Sequence, residues 1–265
     1  MSRHLIFAML TGLWIALSGM SALAAPITEK IESDISSRNI AIESNFTGQK
    51  IVIFGTIENS LQSEFEPGLY DVVVAIRGPK ETIVSRRKSQ VAGIWINRSS
   101  QTFANAPGYY ALLSGRELKD ITNRTTLNAY GLGFDSIAFR PLGAKTSSLA
   151  TGGLGEFRRA VVRIKQREGL YIYNPEGIVF VGRNLFRATV DLPANVPVGK
   201  YAADVYLLRE GEVLSHNRSQ LTIDKQGFER FVFSAAFDYP LLYGIIAVLI
   251  AVCAGLLASA LTRRD

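Results

Sequence analysis

Cysteine is almost absent: the only one in 265 residues, Cys253, sits inside a long apolar segment. The rest of the chain therefore has no disulfide, no thiol nucleophile and no Cys-based metal site. Histidine is nearly as scarce. Apart from His4 there is only His216, and one histidine cannot build a multi-His zinc site. No His-x-x-His or His-Glu-x-x-His spacing occurs. A Gly-x-Ser-x-Gly elbow is missing as well, so a serine hydrolase would lack its usual strand-to-helix turn. His216 reads as a solvated strand histidine near Ser215 and Asn217. Strong charge of either sign is lacking too. Setting aside Arg3, Arg263, Arg264 and Asp265 leaves 26 basic and 22 acidic residues, a net +4. That is no nucleic-acid footprint. Nothing in the sequence calls for a cofactor.

What is present at the two ends explains much of this scarcity. Arg3 precedes an apolar run over residues 5–17, broken only by Thr11 and Gly12, and Ala22 and Ala24 supply the small residues of a cleavage site. This predicts a signal peptide over residues 1–24. Residues 240–261 contain no charged side chain. At about 1.5 Å per residue they make roughly 33 Å of helix, enough for a hydrocarbon core of about 30 Å. Phe237, Tyr239 and Tyr243 sit at the outer end, and Arg263 and Arg264 follow the inner end, as the positive-inside rule expects. The reading is a transmembrane helix over 237–261, a cytoplasmic tail over 262–265 and a bulk held in the periplasm of a bacterial inner membrane. A disulfide-free exported domain must fold by burial alone, and about 210 residues suffice for that. The sequon matches at Asn45, Asn97, Asn123 and Asn217 read as chance in that setting.

Between the ends the pattern is mainly β. Residues 40–46, 51–57, 70–76, 82–87, 94–97 and 101–104 read as six short strands separated by turn residues such as Gly48, Pro67 and Gly78. Ser114 and Glu117 form a capping-box pattern before a short helix. Phe157, Ala160, Val161 and Ile164 share one face of an amphipathic helix. Strands return at 171–173 and 178–181, where Pro175 and Gly177 predict a hairpin turn, and at 185–192, 201–209 and 212–223. The expected architecture is two immunoglobulin-like β-sandwich units, 25–112 and 169–236, joined by a partly helical segment over 113–168. One sandwich with a helical insertion is the alternative.

Three patches are candidate sites. Arg77, Lys80, Arg86, Arg87, Lys88 and Arg98 face Glu81 alone. That excess suits anionic headgroups, an acidic partner or an anionic ligand, or serves only to protect an edge strand. Gly152, Gly153 and Gly155 lead into a basic helix with Arg158 and Arg159, where backbone N–H groups could hold an anion. The third glycine of a dinucleotide fingerprint is replaced by Arg158, so a plain lead-in to a helix is the competing reading. In the span, Ala247, Ala251, Gly255 and Ser259 recur every four residues as a ridge for helix packing. The carboxylate pairs Glu64/Glu66 and Glu210/Glu212 lie in expected turns and read as solvated.

The chain resembles the Alph_Pro_TM family of single-span transmembrane proteins from alphaproteobacteria. The stretches NFTG at 45–48, YDVVVAIRGP at 70–79, VAGIWIN at 91–97 and LPANVPVGKY at 192–201 carry the resemblance, together with the span. It covers nearly the whole mature chain and implies a location but no catalytic or binding residue. Physically these stretches look structural. Pro193, Pro197 and Gly199 would turn the chain between strands, and Trp95 would fill a core. The pattern points away from an enzyme. It points to a membrane-anchored periplasmic interaction module, such as an accessory subunit of a transport or assembly complex. Its partners would be the lipid bilayer and, through the ridge, another membrane protein or a second copy. The alternative is a binding or sensor protein for a small anion, using Arg86, Arg87, Lys88, Arg158 and Arg159.

Overall fold

The computed structural model describes residues 28–43, 46–62, 68–143, 153–225, 232 and 235–262. The expected signal peptide, Glu64, Glu66, Gly152, Arg263 and Arg264 lie outside the described residues. The early strands are β1 (Lys30–Ile35), β2 (Asn39–Ile42), β3 (Gly48–Glu58) and β4 (Asp71–Arg77). A long pair follows, β5 (Lys80–Val91) and β6 (Ile94–Pro107), then β7 (Tyr110–Ser114) and the short β8 (Arg140–Leu142). The last five are β9 (Tyr171–Asn174), β10 (Ile178–Val181), β11 (Leu185–Pro193), β12 (Gly199–Arg209) and β13 (Glu212–Lys225). Among the described residues the helices are α1 (Leu118–Ile121), α2 (Arg124–Tyr130), α3 (Gly153–Arg167) and α4 (Pro240–Thr262), with a 3-10 turn at Phe134–Ser136.

These strands form a four-stranded sheet, β1-β3-β11-β10, a six-stranded sheet, β2-β13-β12-β4-β7-β9, and a three-stranded sheet, β5-β6-β8. Strict alternation builds the four-stranded sheet. On β11, Phe186, Ala188, Val190 and Leu192 are buried while the residues between them are exposed. Such one-faced strands bury only half their side chains. The centre of the six-stranded sheet differs. All of Val72–Ile76 on β4 and all five residues of β7 are buried, because both faces are covered. Ile121, Leu132 and Ile137 from the helical segment belong to the same buried cluster as Ile53, Phe186 and Val205. Each fully buried side chain of this size contributes roughly 1.5–3 kcal/mol.

The pairing departs from two separate units. β3 is hydrogen-bonded to β11, with Gly55 opposite Phe186, and β4 to β12, with Val74 opposite Val205. Strands from 25–112 and from 169–236 are thus neighbours in both larger sheets and share one cluster of buried residues. β3 and β4 each pair with a strand more than a hundred residues later, β11 and β12, which alternation within a strand does not reveal.

Two further expectations change. The turn at Pro175–Gly177 exists, with Gly177 N–H donating to the Asn174 carbonyl at 3.3 Å, but it does not close a hairpin. β9 pairs with β7 and β10 with β11, so the turn carries the chain from one sheet to the other. The short strands expected over 82–104 are instead two long ones, closed by Ala92 and Gly93 with φ of 51° and 85°. Positive φ at both central residues is the type I′ geometry that matches strand twist. Glu210 and Gly211 close β12 and β13 the same way, with φ of 52° and 86°. Glu117 does not cap α1 through its side chain; the working cap is Asn123, whose side chain accepts from the Thr126 N–H at the start of α2.

The direction of the chain at one end of the six-stranded sheet matters below. Arg77 closes β4 opposite Ala202, near where β12 begins, and Gly199 of β12 lies opposite Ile223, near where β13 ends. The β5–β6 arm is inserted between β4 and β7 at that same end. At its root the Gly78 N–H donates to Tyr109 O at 2.8 Å and the Gly108 N–H to Pro79 O at 2.7 Å. A Cβ on Gly78 would meet Tyr109 and Tyr201 at 2.9 Å, so the chain crosses here without room for a side chain. Finally, α4 presents an apolar surface on every side; its residues Pro240–Ser259 have a mean hydropathy of 2.7 and are long enough to cross a membrane.

Candidate functional site

β12 reads YAADVYLL over residues 201–208, an apolar run interrupted by one charged residue, Asp204. A period of two places Asp204 and Tyr206 on one face of the sheet and Ala203, Val205 and Leu207 on the other. The register sets Arg218 of β13 opposite Asp204 and His216 opposite Tyr206. Arg77, at the end of β4, completes the group. The Asp204 carboxylate is wholly buried and accepts from Arg77 Nη1 and Arg218 Nε at 2.5 Å each, and lies 3.0 Å from His216 Nε2. The His216 ring stacks on Tyr206 with centroids 4.6 Å apart. Arg77 also donates through Nη2 to the carbonyls of Tyr130 and Gly131, at 2.9 and 3.1 Å, and its guanidinium lies 5.8 Å over the Tyr110 ring. Tyr110 Oη donates to Gly131 O and accepts from the Gly133 N–H, each at 3.0 Å. The end of α2 is therefore fastened to the sheet through Arg77 and Tyr110.

The electrostatics follow from that packing. Burial opposes ionisation of Asp204, yet hydrogen bonds from Arg218 and His216 and the charge of Arg77 outweigh it and hold the carboxyl below its usual range. Burial pushes the Tyr110 phenol up to about 12. Above this cluster lies a cavity of about 710 Å³ whose wall includes Arg77, Lys80, Arg140, Arg218, His216 and Tyr130. Among the described residues no carboxylate lines it, and Asp204 behind it is already shared among Arg77, Arg218 and His216. The wall presents net positive charge, with Arg77 and Arg218 held in place by their hydrogen bonds to Asp204.

Of the basic patch singled out by sequence, Arg77 and Lys80 line this cavity, and the denser run lies elsewhere. Arg86, Arg87 and Lys88 of β5 meet Arg159 and Arg163 of α3 along a groove of about 490 Å³. Two patches far apart in sequence are thus brought together. Arg158 is not with them. It turns to the other side of α3, donates to the carbonyls of Phe134 and Asp135, and sits 5.6 Å over the Phe139 ring. In the groove Arg87 Nη1 pairs with Glu156 at 3.0 Å, both side chains more than half exposed. Contrary to expectation, Trp95 fills no core: it is 64% exposed near the tip of the arm, because β6 there pairs only with β5. His216 lies on a strand and is exposed, as expected, and its ring in addition contacts Asp204 and stacks on Tyr206. Ala247, Ala251, Gly255 and Ser259 lie along α4, away from both cavities. Among the described residues no group of three His, Cys, Asp or Glu side chains is placed to hold a metal ion.

The Asp204 cluster escaped sequence reasoning because Arg77 and Asp204 are 127 residues apart. One signal was available: a lone aspartate inside an apolar strand must find cations when it is buried. A family model described as "Putative transmembrane protein" (Alph_Pro_TM) matches residues 30–264. No curated protein matches the chain.

Proposed function

The chain belongs to the Alph_Pro_TM transmembrane family, and we propose that it is a single-span protein whose folded part binds an anionic ligand outside the cytoplasm. In this reading the two larger sheets form one sandwich, α4 tethers it to the inner membrane, and the part between β1 and β13 lies in the periplasm. The carrying observation is the cavity beside Asp204, where Arg77, Arg218, Lys80 and Arg140 converge with no carboxylate on the wall among the described residues. A single buried acid fixes two of those guanidiniums, so the cationic wall is organised before any ligand arrives; such preorganisation is what favours anion binding over a loose surface patch. Tyr130 and Tyr206 in the same wall suit a ligand with a flat or sugar-like part beside its charge.

Thermal unfolding of the full chain in detergent, with phosphate, sulfate and short carboxylates added in turn, tests this. A fitting anion at a hundredfold excess over its Kd raises the midpoint by roughly 5–10 °C. Arg218→Gln abolishes that rise, while the paired change Arg87→Gln and Arg159→Gln leaves it intact. The reading fails if no anion stabilises the protein, or if Arg218→Gln responds as the parent does. The expected role as an interaction module draws its support from a different feature, the arm.

A further inference from the structure

The arm formed by β5 and β6 is largely exposed beyond its root. Every residue of β6 from Ile94 to Ser100 is exposed, and so are Arg86, Arg87, Lys88 and Gln90 on β5. Yet its tip is apolar: Val91, Ile94, Trp95 and Ile96 all stand in solvent, Ile94 at 68% exposure. Behind the tip comes a collar of Arg86, Arg87, Lys88 and Arg98, and the arm's only acid, Glu81, is at its root, paired with Lys165 at 2.6 Å. An exposed, apolar, unpaired strand pair in water invites aggregation. An apolar tip carrying a tryptophan, followed by a basic collar, instead matches the layering of a membrane surface. Tryptophan favours the headgroup level, and Lys and Arg favour anionic lipid.

The direction of the arm fits that surface. Its root lies at the end of the six-stranded sheet where β13 runs out toward α4. Twelve residues of β5 at about 3.3–3.4 Å each give an arm of roughly 40 Å. Between β13 and the helical residues that begin at 235 lie nine residues, 226–234, which bridge at most roughly 30 Å. Arm and tether thus start from one end of the sheet and have comparable reach. α3 braces the lower half of the arm through Lys165 on Glu81 and Glu156 on Arg87.

We propose that the tip of the arm, residues 91–96, rests in the headgroup region of the bilayer that α4 enters, with Arg86, Lys88 and Arg98 against anionic lipid phosphates. The arm is then a second foot, fixing the orientation of the cavity above the membrane. The sequence has two tryptophans, Trp14 and Trp95, so Trp14→Phe makes Trp95 the sole reporter. The full chain in this background is placed in nanodiscs of phosphatidylcholine alone, or of phosphatidylcholine and phosphatidylglycerol in equal parts, each with acyl chains brominated near the glycerol. In the anionic discs Trp95 emission is quenched by roughly twofold or more relative to unbrominated discs, and clearly less in the neutral ones. Arg86→Glu with Lys88→Glu removes most of the difference; unchanged tyrosine near-UV circular dichroism shows that the body is intact. Trp95 equally open to acrylamide in discs and in detergent overturns the proposal. So does quenching independent of phosphatidylglycerol and of the charge reversal. Shielding of Trp95 that needs two copies per disc overturns it in favour of a second chain as the occupant.

Discussion

The body, mostly antiparallel with two parallel pairs, and the antiparallel arm treat the same residue types in opposite ways. On β11 the apolar residues of an alternating strand end in a shared core, with Phe186 wholly buried over Gly55. On β6 the run of Ile94, Trp95 and Ile96 ends in solvent. Arginine divides likewise: Arg77 and Arg218 are anchored on a buried carboxylate, whereas Arg86, Arg87 and Lys88 stand on an exposed edge. A strand's own sequence states what it could bury. The neighbouring strands decide whether it does.

The sharpest test of that contrast removes one large ring from each region. Phe186→Ala opens a cavity among Ile31, Ile53 and their neighbours, and the loss is expected at about 3–5 kcal/mol of unfolding free energy. Trp95→Ala removes a larger ring yet leaves stability within about 0.5 kcal/mol, since an exposed position creates no cavity. Denaturant unfolding of the full chain in detergent measures both. Comparable losses would break the comparison by showing that the arm packs against the body.

Charges give the next largest effect. Asp204→Ala leaves Arg77 and Arg218 facing each other without their shared acid, and destabilisation of about 3 kcal/mol is expected, at the low end for a buried pair because Arg218 is half exposed. The same carboxylate sets an acid limb. Its pKa in the folded protein is below that of the unfolded chain. The stabilisation is therefore complete above the ordinary aspartate value of about 3.9 and is lost as pH falls below it. Between pH 5 and 7 this group should make stability flat, with a decline only below about pH 4. Asp204→Asn should be less stable at pH 6 and show a shallower acid decline. An unchanged decline would assign it to other carboxylates.

These contrasts also mark what could be read from sequence. The span was legible because its signal is local: 22 uncharged residues need no partner to be recognised. Most strands were legible for the same reason, each carrying its own alternation or β-branched run. Pairing was not, because Gly55 and Phe186, or Arg77 and Asp204, meet only after a long loop closure that leaves no mark on either segment. The basic run at Arg86–Lys88 drew attention by its density, while the better organised cationic cavity is assembled from single residues on β4, β12 and β13. Trp95 was misread because alternation around it is the same whether the strand is central or an arm. Its density of neighbours, which sequence does not encode locally, separates the two cases.

The smallest expected effect concerns the one ion pair that joins the arm to α3 at its exposed height. Glu156 and Arg87 lie 3.0 Å apart with side chains 55% and 65% exposed. An exposed pair of this kind gains little over water, loses side-chain entropy and is screened by salt, so Glu156→Gln should change stability by no more than about 0.5 kcal/mol. The contrast with Asp204 is in burial and in partners: both acids bind arginine at hydrogen-bonding distance, but Asp204 has no access to solvent and is shared by Arg77, Arg218 and His216. The substitution still has a reading that stability does not capture. It removes the one acid that lines the groove with Arg86, Arg87, Lys88, Arg159 and Arg163, which raises the positive charge beside the arm. If the arm rests on anionic lipid, Glu156→Gln should strengthen bromolipid quenching of Trp95 while thermal unfolding in detergent hardly moves. A drop in stability near that of Asp204→Ala would mean that the brace, and not the root at Gly78, holds the arm in place.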